Sequence, residues 1–103
     1  MEAQVADFEW DPEKESRNVH RRNLDFATAS QIWDGSVVEQ VDERRDYGET
    51  RIIATGEFDG SVLVVVYTWR GEARRIISAR KANSREKRRY EAEIARRGRA
   101  PPD

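Results

Sequence analysis

Cysteine is absent from this 103-residue chain, and histidine occurs once, at position 20. The first absence rules out disulfides and thiolate chemistry. The second means that a zinc or di-metal site would have to be built mostly from carboxylates, so neither metal catalysis nor a bound cofactor is expected. Long apolar runs are missing as well: the longest, Val62 to Tyr67, falls far short of the roughly 20 residues that a membrane span needs. The opening MEAQVADFEW has neither the basic stretch nor the apolar stretch of a secretion signal, so a soluble, cytoplasmic protein is expected. Internal repeats and low-complexity segments are also lacking. At this length one core and one domain are expected, over residues 1–98, with RAPPD at 99–103 a frayed tail.

What the chain has in abundance is charge. Charged residues make up 38% and hydrophobic ones 37%, yet three Trp, three Phe and three Tyr keep a packed core within reach. The formal net charge of -1 is a cancellation. Met1 to Tyr67 carries 7 basic and 15 acidic residues (-8), and Thr68 to Asp103 carries 12 and 5 (+7). Such asymmetry points to a polyanion, a membrane surface or an acidic partner. The stretch RRIISARKANSREKRRYE, Arg74 to Glu91, sets eight cations against Glu86 and Glu91.

Periodicity divides the chain into elements. Ala6, Phe8 and Trp10 alternate with polar residues as in a half-buried strand, after which Asp11 caps and Pro12 opens a helix expected over Pro12 to Arg22. Asp25 reads as the cap of a second helix that carries Phe26, Ala29, Ile32 and Trp33 on one face as far as Gly35. From Val37 the period becomes two: VVEQVDE, RIIATGEF, SVLVVVYTW and ARRIISARKA read as four strands of an antiparallel meander, with Asp59-Gly60 as a type I′ hairpin turn. A basic third helix follows, opened by Asn83 and Glu86 at capping-box spacing and ending near Gly98. The expected architecture is α+β: a twisted antiparallel sheet of about five strands with two N-terminal helices and one C-terminal helix. The predicted core is Phe8, Trp10, Phe26, Trp33, Ile53, Val64, Val66 and Ile77.

Simple alternation along the last strand puts Arg75, Ile77, Ala79 and Lys81 on one face and Arg74, Ile76, Ser78 and Arg80 on the other. A basic strand running into a basic helix, with Tyr67, Trp69 and Tyr90 close by, has the composition of a nucleic-acid site. The plain alternative for the helix is a solvated face of Glu/Arg pairs worth about 0.2–0.5 kcal/mol each. A membrane-surface reading fails, because Tyr90, Ile94 and a few alanines offer too small an apolar face.

The stretches FEWDPEKESRN, YGETRIIATG and VLVVVYTWRGEARRIISARKANSREKRRYE occur in the order and at about the spacing of the BrnT family of bacterial type II toxins, which the chain resembles from Asp7 to Glu91. The resemblance implies a RelE-like fold and a ribonuclease that arrests translation. It also implies neutralisation by a BrnA-like ribbon-helix-helix antitoxin, through which alone the chain would meet DNA. Asp11, Lys14 and Asn18 fall on the family's first-helix pattern, Gly48, Glu49 and Arg51 on its G-E-x-R segment, Tyr67 at the end of its central strand, and Arg75, Ser78 and Arg80 on its last strand. The chain departs at Arg21 to Asn23, where many relatives read K-H-G. Arg22 stands in place of the histidine, which leaves a histidine-based proton transfer there without its residue.

Cleavage by a ribose 2′-OH needs a proton removed, phosphate charge stabilised and the leaving oxygen protonated. Arginine stays protonated, and its fork suits phosphate oxygens. Arg80 and Arg75 are accordingly expected to stabilise the transition state, Lys14 and Arg51 to hold substrate phosphates, and Glu49 to act as base. Tyr67 or Tyr90 would stack a base or donate a proton. Lys81, Arg85, Lys87, Arg88 and Tyr90 are expected to contact RNA or antitoxin. The bland counterparts are a Glu49–Arg51 salt bridge, an exposed Lys14 and a merely capping Asp11. The competing function is a non-catalytic module that uses the same basic surface to bind nucleic acid or antitoxin.

Overall fold

The computed structural model describes residues 8–98. The order is β1 (Phe8–Trp10), α1 (Pro12–Arg22), α2 (Phe26–Ala29), a 3-10 segment (Ser30–Asp34), β2 (Val37–Val41), β3 (Ile52–Phe58), β4 (Ser61–Arg70), β5 (Ala73–Lys81) and α3 (Ser84–Gly98). The class is α+β, as expected, and the Asp59-Gly60 turn has both central φ angles positive (52° and 80°), as a type I′ hairpin requires.

Two helix starts follow the sequence signals closely. The Asp11 carboxylate accepts from the Glu13 N–H at 2.9 Å, and Glu13 and Glu15 sit in the first turn of α1 with His20, Arg21 and Arg22 in the last, the polarity that the helix dipole favours. Asn23, left-handed at φ 56°, closes α1. At α3 the capping box is complete: the Asn83 side chain accepts from the Glu86 N–H (2.8 Å) and Glu86 accepts from the Asn83 N–H (2.9 Å). The continuous second helix is corrected. One α-turn, capped by Asp25 and by Glu15, tightens into the 3-10 segment, which lowers Ile32 onto the sheet over Gly56. A Cβ on Gly56 would sit 2.7 Å from that of Ile32, so only glycine admits this approach.

The sheet order is β1-β5-β4-β3-β2. The meander β2 to β5 is antiparallel, but β1 runs parallel to β5, so the sheet is mixed rather than wholly antiparallel. Position along β5 explains the direction. Trp10 pairs beside Ile76, and the chain then turns directly into α1, whose Asn18 meets β5 further on, at Ala79. There the Asn18 amide substitutes for a missing strand: its Nδ2 donates to the Ala79 carbonyl (2.9 Å) and its Oδ1 accepts from the Ala79 N–H (3.2 Å). The same Nδ2 also donates to the Leu24 carbonyl (2.9 Å).

The core occupies the sheet face under α2 and the 3-10 segment, where Phe26, Ala29 and Ile32 meet Ala54, Leu63, Val65, Tyr67, Ile76 and Ala79. Phe8, Trp10 and Trp33 pack at its margin. Ile53, Val64, Val66 and Ile77, assigned to this core from sequence, lie on the opposite face. In the unbroken run VLVVVY nothing marks which parity faces the helices. The alternation along β5 is also corrected. Val66 pairs with Ser78 but Tyr67 pairs with Ile76, so Ile77 is an extra residue. This bulge switches the parity of the strand, and Arg75, Ile77, Ser78 and Arg80 share one face while Arg74, Ile76, Ala79 and Lys81 share the other.

Candidate nucleic-acid interface

The face away from the core is only partly covered: Val64 is buried at 3% exposure, whereas Ile53, Val66 and Ile77 are half-buried. It forms the floor of a cleft of about 960 Å³ bounded by α1, α3 and Arg44. Val38 and Gln40 of β2, Ile53 and Thr55 of β3, Val64 and Val66 of β4, and Ile77, Ser78 and Arg80 of β5 make that floor. The helical period brings Lys14, Arg17, Asn18 and Arg21 of α1 to it, along with Arg22. The third helix presents Glu86, Arg89, Tyr90, Glu93 and Arg96. Eight cations thus surround two carboxylates, an excess of six positive charges.

Arg80 is held rigidly at this centre. Its Nη1 and Nη2 donate to the two carboxylate oxygens of Glu86, each at 2.8 Å, and Nη1 also donates to the Lys81 carbonyl at 3.2 Å. Of the five N–H donors of a guanidinium, two therefore remain for a ligand. The Arg80 guanidinium draws the Glu86 carboxyl down from its ordinary 4.5 to about 2. The stability this pairing contributes is complete above pH 4.5 and is lost as the pH falls toward 2. Glu93, gripped by Arg96 (2.5 and 2.9 Å) and Arg97 (3.2 Å), is likewise lowered to about 2. Neither carboxylate is basic enough to take a proton effectively near neutrality.

Arg44 reaches the cleft from the β2–β3 loop because Asp42, buried at 5% exposure, fixes it: Nε and Nη2 each donate to the Asp42 carboxylate at 2.7 Å. Tyr47 donates its hydroxyl to the same carboxylate at 3.0 Å, and these bonds hold the Asp42 carboxyl far below the usual carboxylate range in spite of its burial. The third helix is anchored by Tyr90, whose hydroxyl donates to the Ser36 carbonyl (2.9 Å), and by Arg97, which donates to the Val37 carbonyl (3.1 Å).

A sequence profile described as the ribonuclease toxin BrnT of type II toxin-antitoxin systems matches residues 10–86. The chain belongs to the BrnT toxin family. Among curated proteins, none matches it. Family membership brings ribonuclease activity, an RNA target and an antitoxin partner at the level of the family. Among the described residues, no helix is long and apolar enough to cross a membrane.

In this BrnT-family chain the site residues expected from sequence separate. Arg80, Lys14 and Tyr90 line the cleft. Arg75 shares the face of Arg80 but lies five residues along β5, roughly 15 Å away at strand rise, and pairs with Glu9 at 2.8 Å. Glu49 and Arg51 pair with each other at 3.2 Å outside the cleft, and Arg51 stacks on Tyr47 with its guanidinium carbon 4.1 Å from the ring centre. Tyr67 faces the core side. It is fully buried, its hydroxyl donates to Glu39 at 2.9 Å, and burial pushes its phenol pKa up. Beside it the Arg74 guanidinium sits among Phe8, Trp33, Tyr67 and Trp69, 4.7–5.9 Å from the ring centres, with its Nε buried and unbonded. Lys81, Arg85, Lys87 and Arg88 are exposed and none lines the cleft.

Arg17, Arg21, Arg22, Arg44, Arg89 and Arg96 escaped the sequence reading. The positions 14, 17, 18 and 21 carried a usable signal in their i, i+3, i+4, i+7 spacing, hidden inside the acidic half. Arg44 carried none, because its place depends on the buried Asp42.

Proposed function

We propose that the cleft cleaves RNA without a metal ion, Arg80 supplying the charge that stabilises the transition state and the cations of α1, α3 and Arg44 guiding the backbone phosphates. The supporting observation is the excess of six positive charges around a carboxylate-anchored Arg80 with two free N–H donors. Attack of the 2′-oxygen on phosphorus breaks the bond to the 5′-oxygen, leaving a 2′,3′-cyclic phosphate and a 5′-hydroxyl. The proton of the 2′-OH goes to solvent hydroxide, and water protonates the departing oxygen. In this reading Lys14 holds a flanking phosphate, and the antitoxin is a BrnA-like ribbon-helix-helix protein that reads DNA on the complex's behalf.

Both cleft carboxylates are held near 2 and no histidine lines the cleft among the described residues, so in this reading solvent removes the proton. The cleavage rate at saturating RNA is therefore expected to rise about tenfold per pH unit between roughly pH 6 and 8, as the 2′-oxyanion population does. Incubation of purified protein with structured RNA in excess EDTA, with end-group analysis of the fragments, checks both points. A bell-shaped profile would reveal a general base in the protein. Intact RNA that shifts on a native gel would leave the non-catalytic binding module as the function.

A further inference from the structure

The cleft floor has a chemistry that RNA does not ask for. Single-stranded RNA is held by cations together with aromatic stacking platforms. Val38, Ile53, Val64, Val66 and Ile77 are all aliphatic, and among the described residues the one aromatic lining the cleft, Tyr90, is 7% exposed and pinned by its hydroxyl to Ser36. Ile53 and Val66 face each other directly across β3 and β4, and both are only half-buried. Aliphatic surface of this kind at the bottom of an open cleft marks a place where another apolar surface docks.

The rim restricts what that surface can be. Arg17, Arg21 and Arg22 stand on the α1 side and Arg89 and Arg96 on the α3 side, so an occupant that buries aliphatic groups on the floor meets cations on both flanks. An α-helix about 10 Å across and 5.4 Å per turn fills roughly 420 Å³ per turn, so the cleft of about 960 Å³ takes about two turns. We infer that the floor receives an acidic amphipathic helix of the antitoxin, with leucine, isoleucine or valine at i, i+3, i+4 and i+7 on one face and carboxylates on both flanks of that face. The inference rests on the proposed siting of RNA cleavage in this cleft, because the helix neutralises the toxin by occupying it. The carboxylates pair with the same cations that guide phosphates, and the aliphatic contacts give the antitoxin an affinity for which RNA cannot compete.

The test uses the full-length antitoxin encoded beside the toxin. Ile53→Thr/Val66→Thr keeps β-branched side chains on both strands and removes the apolar character of the floor. At about tenfold for each lost apolar contact, antitoxin affinity by calorimetry is expected to fall on the order of 100-fold. In the unsubstituted complex, Ile53 and Val66 methyls are expected to show nuclear Overhauser contacts with aliphatic methyls of the antitoxin, a readout that does not depend on how well a variant folds. Unchanged affinity, or no such contacts, overturns the proposal. If neither chain cleaves RNA, the functional reading fails, and calorimetry still decides this one.

Discussion

Arg80→Ala is expected to lower the rate of RNA cleavage by about 10²–10³-fold, the usual consequence of losing one preorganised donor to a developing phosphate charge. The loss should appear in kcat more than in KM, because seven other cations of the cleft still hold the substrate. Arg80→Lys restores the charge but not the fork that lets one edge grip Glu86 while the remaining N–H groups face the phosphate. It is expected to recover only a minor part of the rate. Single-turnover cleavage of a defined oligoribonucleotide measures both variants. A rate within about threefold of the parent chain's for Arg80→Ala would remove Arg80 from the chemistry.

The second large effect is on stability. Asn18→Ala is expected to destabilise the fold by about 2–5 kcal/mol, because both the N–H and the carbonyl of Ala79 lose their partner at a buried position, at roughly 1–3 kcal/mol for each group left unsatisfied. For a domain of this size that corresponds to a fall in Tm of about 10–30 °C. Asn18→Asp keeps the acceptor for the Ala79 N–H but turns a carboxylate toward the Ala79 and Leu24 carbonyls, where Nδ2 had donated to both. It should rescue little. Urea midpoints at constant m-value measure the change, and a destabilisation below about 0.5 kcal/mol, the level of an ordinary surface substitution, would contradict the strand-substituting role given to this side chain. Loosening α1 also shifts the Lys14, Arg17 and Arg21 wall, so a higher KM should accompany the lost stability.

Local signals in the sequence carried the elements well. Asp11-Pro12, Asn83 with Glu86, and Asp59-Gly60 act through their own backbone neighbours, and each does in the structure what its residue types dictate. What the sequence hid depended on contacts between distant positions. Which face of VLVVVY packs on the helices is decided by Ile32 descending onto Gly56 and by Tyr67 filling the core. The bulge at Ile77, invisible in a run of alternating residues, brings Arg75 and Arg80 to one face and turns Arg74 into an aromatic corner on the other. Tyr67 was expected in the site from its place at the end of the central strand, whereas it fills the core, and the arginines of α1 went unread because their helical spacing lies inside the acidic half.

The central claim is that RNA is handled on the sheet face that carries Arg80 and not on the aromatic face behind it. The most direct measurement is an NMR titration with an oligonucleotide whose 2′-OH at the scissile position is replaced by hydrogen, so that it binds without being cut. Methyl resonances of Ile53, Val64, Val66 and Ile77 report the cleft, and the indole N–H of Trp69, half-exposed at 46%, reports the opposite face. The account predicts saturable shifts of the cleft methyls with Trp69 unmoved, and their loss as salt is raised. Shifts at Trp69 with the cleft methyls unchanged would contradict it.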